Sequence, residues 1–131
     1  MANRVFGKIR IKAVGTSFDN RQGKLWNVRR YLGAHPGAPI TVMLRREPKN
    51  EHDPNAIAVL VKTDKTIAKI GYVPADKALW LAKRMDAGLT VRAYHGVVTG
   101  GERKAKHVGF EFTICHEIPQ AAIAVEQEIT K

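Results

Sequence analysis

The stretch RREPKNEHDPNAIAVLV, residues 45–61, sets a dense run of charge directly before a nearly unbroken apolar run. Ala56 to Val61 is short and bounded by turn residues, as expected of a central strand. A second apolar stretch, Ile40 to Leu44, follows Pro39, so Arg45 to Asn55 reads as the loop joining two strands. Asp53-Pro54-Asn55 fits a type I turn: Asp suits the first position and Pro presets φ at the second. Asn50 can likewise bond neighbouring backbone through its amide. The same loop is rich in groups that suit a sugar–phosphate terminus. Arg45, Arg46 and Lys49 can hold phosphates, Asn50 and Asp53 can bond a hydroxyl, and His52 offers a flat ring for stacking. On the residues alone the turn reading and the binding reading are even. A metal-dependent nuclease built from Glu47, Glu51, His52 and Asp53 ranks well behind, because neighbours in a loop rarely converge on one ion.

Outward from this segment, short apolar runs alternate with turn residues. Residues 4–14, RVFGKIRIKAV, set Val5, Ile9, Ile11 and Ala13 against Lys8, Arg10 and Lys12. Period-two alternation predicts a half-buried strand with a basic outer face. Ile67 to Val73 predicts another strand, closed by Pro74. Leu89 to Val98 and Val108 to Ile114 predict a hairpin around Gly100-Gly101. Residues 22–32 place Leu25, Val28 and Leu32 on one helical stripe, with Gly33 as the stop. Residues 76–87 do the same with Ala78, Leu81, Ala82 and Met85, with Asp76 as N-cap and Gly88 past the end. The expected fold is mainly β (α+β): a small OB-like β-barrel with two short helices. One domain is expected over residues 1–118, with 119–131 as a C-terminal tail or short helix.

Composition narrows the function classes. The 131 residues suit one domain, and 44% hydrophobic with 26% charged residues excludes a disordered chain. Apolar runs are too short to cross a bilayer, and the N-terminal stretch lacks a signal-peptide core. The lone cysteine, Cys115, excludes an internal disulfide and a multi-cysteine zinc site, and its place among Phe110, Phe112 and Ile114 predicts a packed thiol. A cytoplasmic protein is therefore expected. Phosphate-loop, HExxH, CxxC and GxSxG signatures are missing. His35, His52, His95, His107 and His116 are scattered without ligand spacing. No catalytic residue, metal or cofactor is assigned.

Charge points to a polyanion. The net charge is +10, and residues 1–50 carry eleven Lys and Arg against only Asp19 and Glu47. Residues 51–131 are close to balance, with eleven basic and ten acidic side chains. A basic field gathered in one part of a chain attracts nucleic acid first. A membrane surface is the weaker reading, because a basic amphipathic helix with a bulky apolar face is missing. Trp26 with Arg29 and Arg30, and Trp80 with Lys77, Lys83 and Arg84, read first as cover for an edge of the fold. Arg103, Lys104 and Lys106 read as a solvated hairpin tip, with phosphate contact the minority reading.

REPKNEHDPNAIAV resembles the central motif of HIRAN domains, in which REP–N–xDxNAI runs from one strand through a loop into the next. Upstream, AVGTSF (Ala13 to Phe18) resembles the family's V-G-x-x-F/Y element. Downstream, IGYVPADKALWLAKRMDAG resembles its G-Y-L/V-P strand and following helix. The resemblance covers roughly residues 8–115, most of a single domain. It implies an OB-like barrel with two added helices. It also implies binding of single-stranded DNA that ends in a free 3′ hydroxyl, as in the members found at the front of fork-remodelling helicases. Carried over residue by residue, it implies that Phe18 stacks on a terminal base and that His52 replaces a second aromatic. Asn50 and Asp53 would then surround the terminal nucleotide and its hydroxyl, and Asn55 would be structural. Ser17 stands where the helicase members carry arginine, Asp19 where they carry a second tyrosine, and His52 where tyrosine is common.

The expected function is thus a non-catalytic DNA-binding module for single strands and DNA ends in repair or replication, with a helicase or nuclease as candidate protein partner. The alternatives are the metal-dependent nuclease and a protein-interaction domain whose basic charge is incidental.

Overall fold

The computed structural model describes residues 4–37, 39–64, 66–101 and 107–120. In chain order the elements are β1 (Phe6–Lys12), α1 (Arg21–Ala34), β2 (Thr41–Arg46) and β3 (Ile57–Lys62). They continue as β4 (Ile67–Tyr72), α2 (Ala75–Asp86), β5 (Val91–Gly100) and β6 (Val108–Glu117). Two antiparallel three-stranded sheets result, ordered β1-β6-β5 and β2-β3-β4.

The most apolar strands take the central places. Ile57 to Val61 of β3 are all buried, on both faces, as the unbroken apolar run requires. In β6 the alternation is strict: Val108, Phe110, Phe112 and Ile114 point inward and are fully buried. Leu25 and Val28 of α1 and Ala78, Leu81 and Ala82 of α2 complete one core with Ile11, Val59 and Ile70. Burial of a large side chain of this kind contributes about 1.5–3 kcal/mol.

The two sheets meet at a corner. Ala13 still donates to the Phe110 carbonyl at 2.9 Å, as part of the β1–β6 ladder. Val14 instead exchanges backbone hydrogen bonds with Tyr72 at 2.8 and 2.9 Å, which ties it to β4. A chain that bonds to two sheets in succession makes a corner between them. Among the described residues the strands therefore form two sheets joined by this bridge, and the expected closed barrel is not seen.

Other boundaries differ from the sequence reading for local reasons. Arg45 and Arg46 lie in β2, opposite Ala58 and Ile57, so the loop begins at Glu47. Helix α1 runs through Gly33 to Ala34; Pro36 then blocks its continuation, and Gly37 takes a φ of 80°. The N-cap of α2 is Pro74, whose carbonyl accepts from Lys77 and Ala78. Asp76 sits in the first turn, where a carboxylate offsets the positive helix end. Cys115 is only half-buried, on the face of β6 opposite Phe110, Phe112 and Ile114, because neighbours in a strand alternate sides. Trp26 and Trp80 are partly buried against the core, with Arg29 and Arg84 lying 5.5 and 4.6 Å from their ring centroids. Arg103, Lys104, Lys106 and positions 121–131 of the expected tail lie outside the described residues.

The corner needs a glycine. A Cβ on Gly71 would lie 2.6 Å from the Val14 carbonyl oxygen. Gly71→Ala is expected to push the bridge apart and to lower stability by about 1–3 kcal/mol. Chemical denaturation measures this, and an unchanged midpoint would show that the bridge yields without cost.

Candidate functional site

The corner opens into a cavity of about 660 Å³, a volume usual for small-ligand sites. The β1–α1 loop contributes Val14, Gly15, Phe18 and Asp19 to its lining, and the β2–β3 loop contributes Asn50, His52 and Asp53. Tyr72 and Val73 come from the end of β4, and Arg21 from the start of α1. Phe18 is 66% exposed, so its ring is a free face and not part of the core. His52 is exposed as well, and Asp53 is half-buried. Phe18, Asn50, His52 and Asp53, picked out separately in the sequence, thus share one cavity.

The first loop is held by a buried arginine. Asp19 and Asn20 adopt left-handed backbone, with φ of 51° and 59°, which Asp and Asn tolerate better than most residues. Arg21 is 5% exposed. Its Nη1 donates to the Gly15 carbonyl at 2.6 Å, its Nη2 pairs with Asp19 Oδ2 at 3.1 Å, and its guanidinium lies 5.1 Å from the Tyr72 ring centroid. A cation in the first turn of a helix opposes the helix dipole, and these three contacts offset that cost. Gln22 fastens the same loop to β6: it donates to the Thr16 and Val108 carbonyls at 3.0 and 2.7 Å, and accepts from the Val108 N–H at 2.8 Å.

The second loop is organised around Glu47. Its Oε1 accepts from Tyr72 Oη at 2.8 Å and Asn50 Nδ2 at 3.0 Å. Its Oε2 meets Lys69 Nζ and Arg45 Nη2, each at 3.2 Å. Burial pushes the Glu47 carboxyl up, but the bonds from Tyr72, Asn50, Lys69 and Arg45 outweigh it and bring the pKa down to about 2. Asn50 Oδ1 accepts from the His52 and Asp53 N–H groups at 2.9 and 3.1 Å, and Asp53 Oδ1 from the Asn55 N–H at 2.8 Å. The turn chemistry expected of Asn50 and Asp53 is therefore present, and both still line the cavity.

The cations divide into two groups. Arg46 bonds Asp86 Oδ1 and Oδ2 at 2.9 and 3.1 Å, the Ala56 carbonyl at 2.8 Å and the Pro54 carbonyl at 3.0 Å. It clamps the loop to the end of α2, which occupies the guanidinium expected to hold phosphate. Arg45 braces Glu47, and Lys49 is exposed; none of Arg45, Arg46 and Lys49 lines the cavity. Lys8, Arg10 and Lys12 lie on the exposed face of β1. Among the described residues no cluster of His, Cys, Asp and Glu is arranged to hold a metal, and Glu47 is surrounded by Lys69 and Arg45 instead.

Arg21 and Tyr72 are cavity residues that the sequence reading did not single out. The signal for Arg21 was its place at a helix start, where a cation is unfavourable unless tertiary contacts hold it. Tyr72 sat in the GYVP element but read only as a strand residue.

The basic outer face of β1 suits a polyanionic ligand, nucleic acid first among them. Residues 6–115 match the HIRAN domain family, and the chain belongs to that family of DNA-binding domains. Among solved structures it is similar to the HIRAN domain of human HLTF, with 26% identity over 86% of this chain and 79% of that one, at a TM-score of 0.47. A search of curated proteins found no significant match. Among the described residues no helix is long and apolar enough to cross a membrane.

The depressed Glu47 pKa makes stability depend on acid. With an ordinary value of 4.5 and a folded value of about 2, its contribution is complete above about pH 4.5 and disappears as pH falls toward 2. Glu47→Gln should flatten this acid limb, with wild type losing about 1–2 kcal/mol more than the variant across the window, allowing for solvent screening. Thermal melting between pH 6 and 2 checks it.

Proposed function

We propose that this domain is a non-catalytic module that binds single-stranded DNA and takes a free 3′-hydroxyl end into the corner cavity, in the service of DNA repair or replication. The observation that carries this reading is the convergence of Phe18, Asn50, His52 and Asp53, from two loops far apart in sequence, on one cavity. Phe18 and His52 offer exposed rings for base stacking, which tolerates any base and contributes about 1–3 kcal/mol per base. Asp53 supplies what stacking lacks. A carboxylate accepts a hydrogen bond from a terminal hydroxyl and repels a phosphate, so it favours a strand that stops there. Lys49, exposed on the same loop, and the β1 cations add attraction that ignores sequence. A helicase or nuclease is the class of protein partner such an end-holder would serve. The single free thiol suits a reducing, cytoplasmic compartment.

Two variants test the reading. Asp53→Asn keeps an acceptor for the Asn55 N–H while removing the charge. It should weaken binding of 3′-hydroxyl strands by roughly tenfold, as for loss of a bond to a charged group, while 3′-phosphorylated and circular strands bind as well as before or better. Phe18→Ala should cost about 1–3 kcal/mol of DNA affinity with no change in melting temperature, since the ring is exposed. Wild-type protein that binds circular and linear single strands equally would overturn end recognition.

A further inference from the structure

We infer that the DNA strand leaves the cavity in the 5′ direction along the outer face of β1, so that the β1-β6-β5 sheet is a phosphate track of fixed polarity. The polarity rests on the 3′-end reading above. The geometry of the track comes from strand alternation. Val14 lines the cavity and is 45% exposed, while Ala13 and Ile11 are buried. Lys12, Arg10 and Lys8 share Val14's side of the strand and are all exposed. Same-side residues follow one another at about 6.6–6.8 Å, a step comparable to that between successive phosphates of an extended single strand. The row ends at Phe6, 43% exposed, with Arg4 lying 5.3 Å from its ring centroid.

Register across the sheet widens the row into a surface. Lys8 stands beside Cys115 and Arg92, Arg10 beside Thr113 and Tyr94, and Lys12 beside Glu111 and Val97. Four cations and a phenol ring thus share the face with two carboxylates, Glu111 and Glu117, the second of them held by Arg4. Arg10 is braced by the His95 carbonyl at 2.9 Å and Thr113 Oγ1 at 3.1 Å. Lys8, Lys12 and Arg92 have no side-chain hydrogen bond or ion pair among the described residues, whereas Arg4, Arg21, Arg46 and Lys69 each hold a carboxylate. Cations without an internal partner are those that can exchange counterions for phosphate. With the 3′ nucleotide in the cavity, the following phosphates meet Lys12, then Arg10, then Lys8.

Cys115, the only cysteine, lies in the Lys8 row and can report the path. Oligonucleotides with a 3′ hydroxyl would carry a short activated-disulfide tether on one phosphate, moved stepwise from the 3′ end. Disulfide exchange with Cys115, releasing the activating thiol, would trap the nearest position. The expected yield peaks at the third to fifth phosphate, and Cys115→Ser abolishes it. A yield that does not vary with position, or that peaks next to the 3′ end, would overturn the track. As a second measurement, a hexanucleotide should outbind a dinucleotide by about tenfold in wild type. In the Lys8→Gln, Lys12→Gln, Arg92→Gln triple variant that gain should largely vanish, with dinucleotide affinity falling far less than hexanucleotide affinity. A gain that survives in the triple variant would also overturn the track. The end reading fails separately, if 3′-phosphorylated strands bind as tightly as 3′-hydroxyl strands.

Discussion

The reciprocal backbone hydrogen bonds between Val14 and Tyr72 hold two sheets at an angle and, by doing so, create the cavity. Each such bond contributes only about 1 kcal/mol net, so its importance is positional. Gly71 permits the approach, because a side chain there would meet the Val14 carbonyl. Tyr72 then serves both walls. Its hydroxyl reaches Glu47, the centre of the β2–β3 loop, and its ring lies against Arg21, the support of the β1–α1 loop. Two loops that are distant in sequence become neighbours because both are anchored to one tyrosine.

The loops are shaped mostly by charge-assisted bonds that leave the lining groups in place. Glu47 collects four donors, and Asn50 turns the chain so that His52 and Asp53 border the cavity. Asp53 fastens Asn55 and still lines the same cavity, so its structural bond leaves it in place for the recognition role proposed above. This explains why the residues alone left the turn and binding readings even. The two use the same atoms of the same short segment.

Much of this architecture was legible in the sequence, and the failures have physical causes. The apolar run at Ala56–Val61, the alternation of β1 and the Gly100-Gly101 hairpin are local patterns, and each became the expected strand. Arg45 and Arg46 read as loop because they are charged, yet backbone pairing with Ala58 and Ile57 carries β2 through them. The Arg46 clamp on Asp86 depends on a partner forty residues away in the chain and had no local signature. Closure of a barrel is likewise a long-range property: period-two patterning fixes which face is buried, not which strand edge meets which. Phe18, Asn50, His52 and Asp53 were recognisable through a motif, whereas Arg21 and Tyr72 act through tertiary contacts that a motif does not spell out.

The division of the cations has a practical side. Arg4, Arg21, Arg29 and Arg46 are held at short range by carboxylates or carbonyls, and Arg21 in particular is shielded from solvent. The exposed lysines of β1 act at longer range, where dissolved ions compete with them. Moderate ionic strength therefore reaches the outer face well before it reaches the internal fittings. A preparation of this protein is expected to carry host nucleic acid through a low-salt purification and to release it in a high-salt wash.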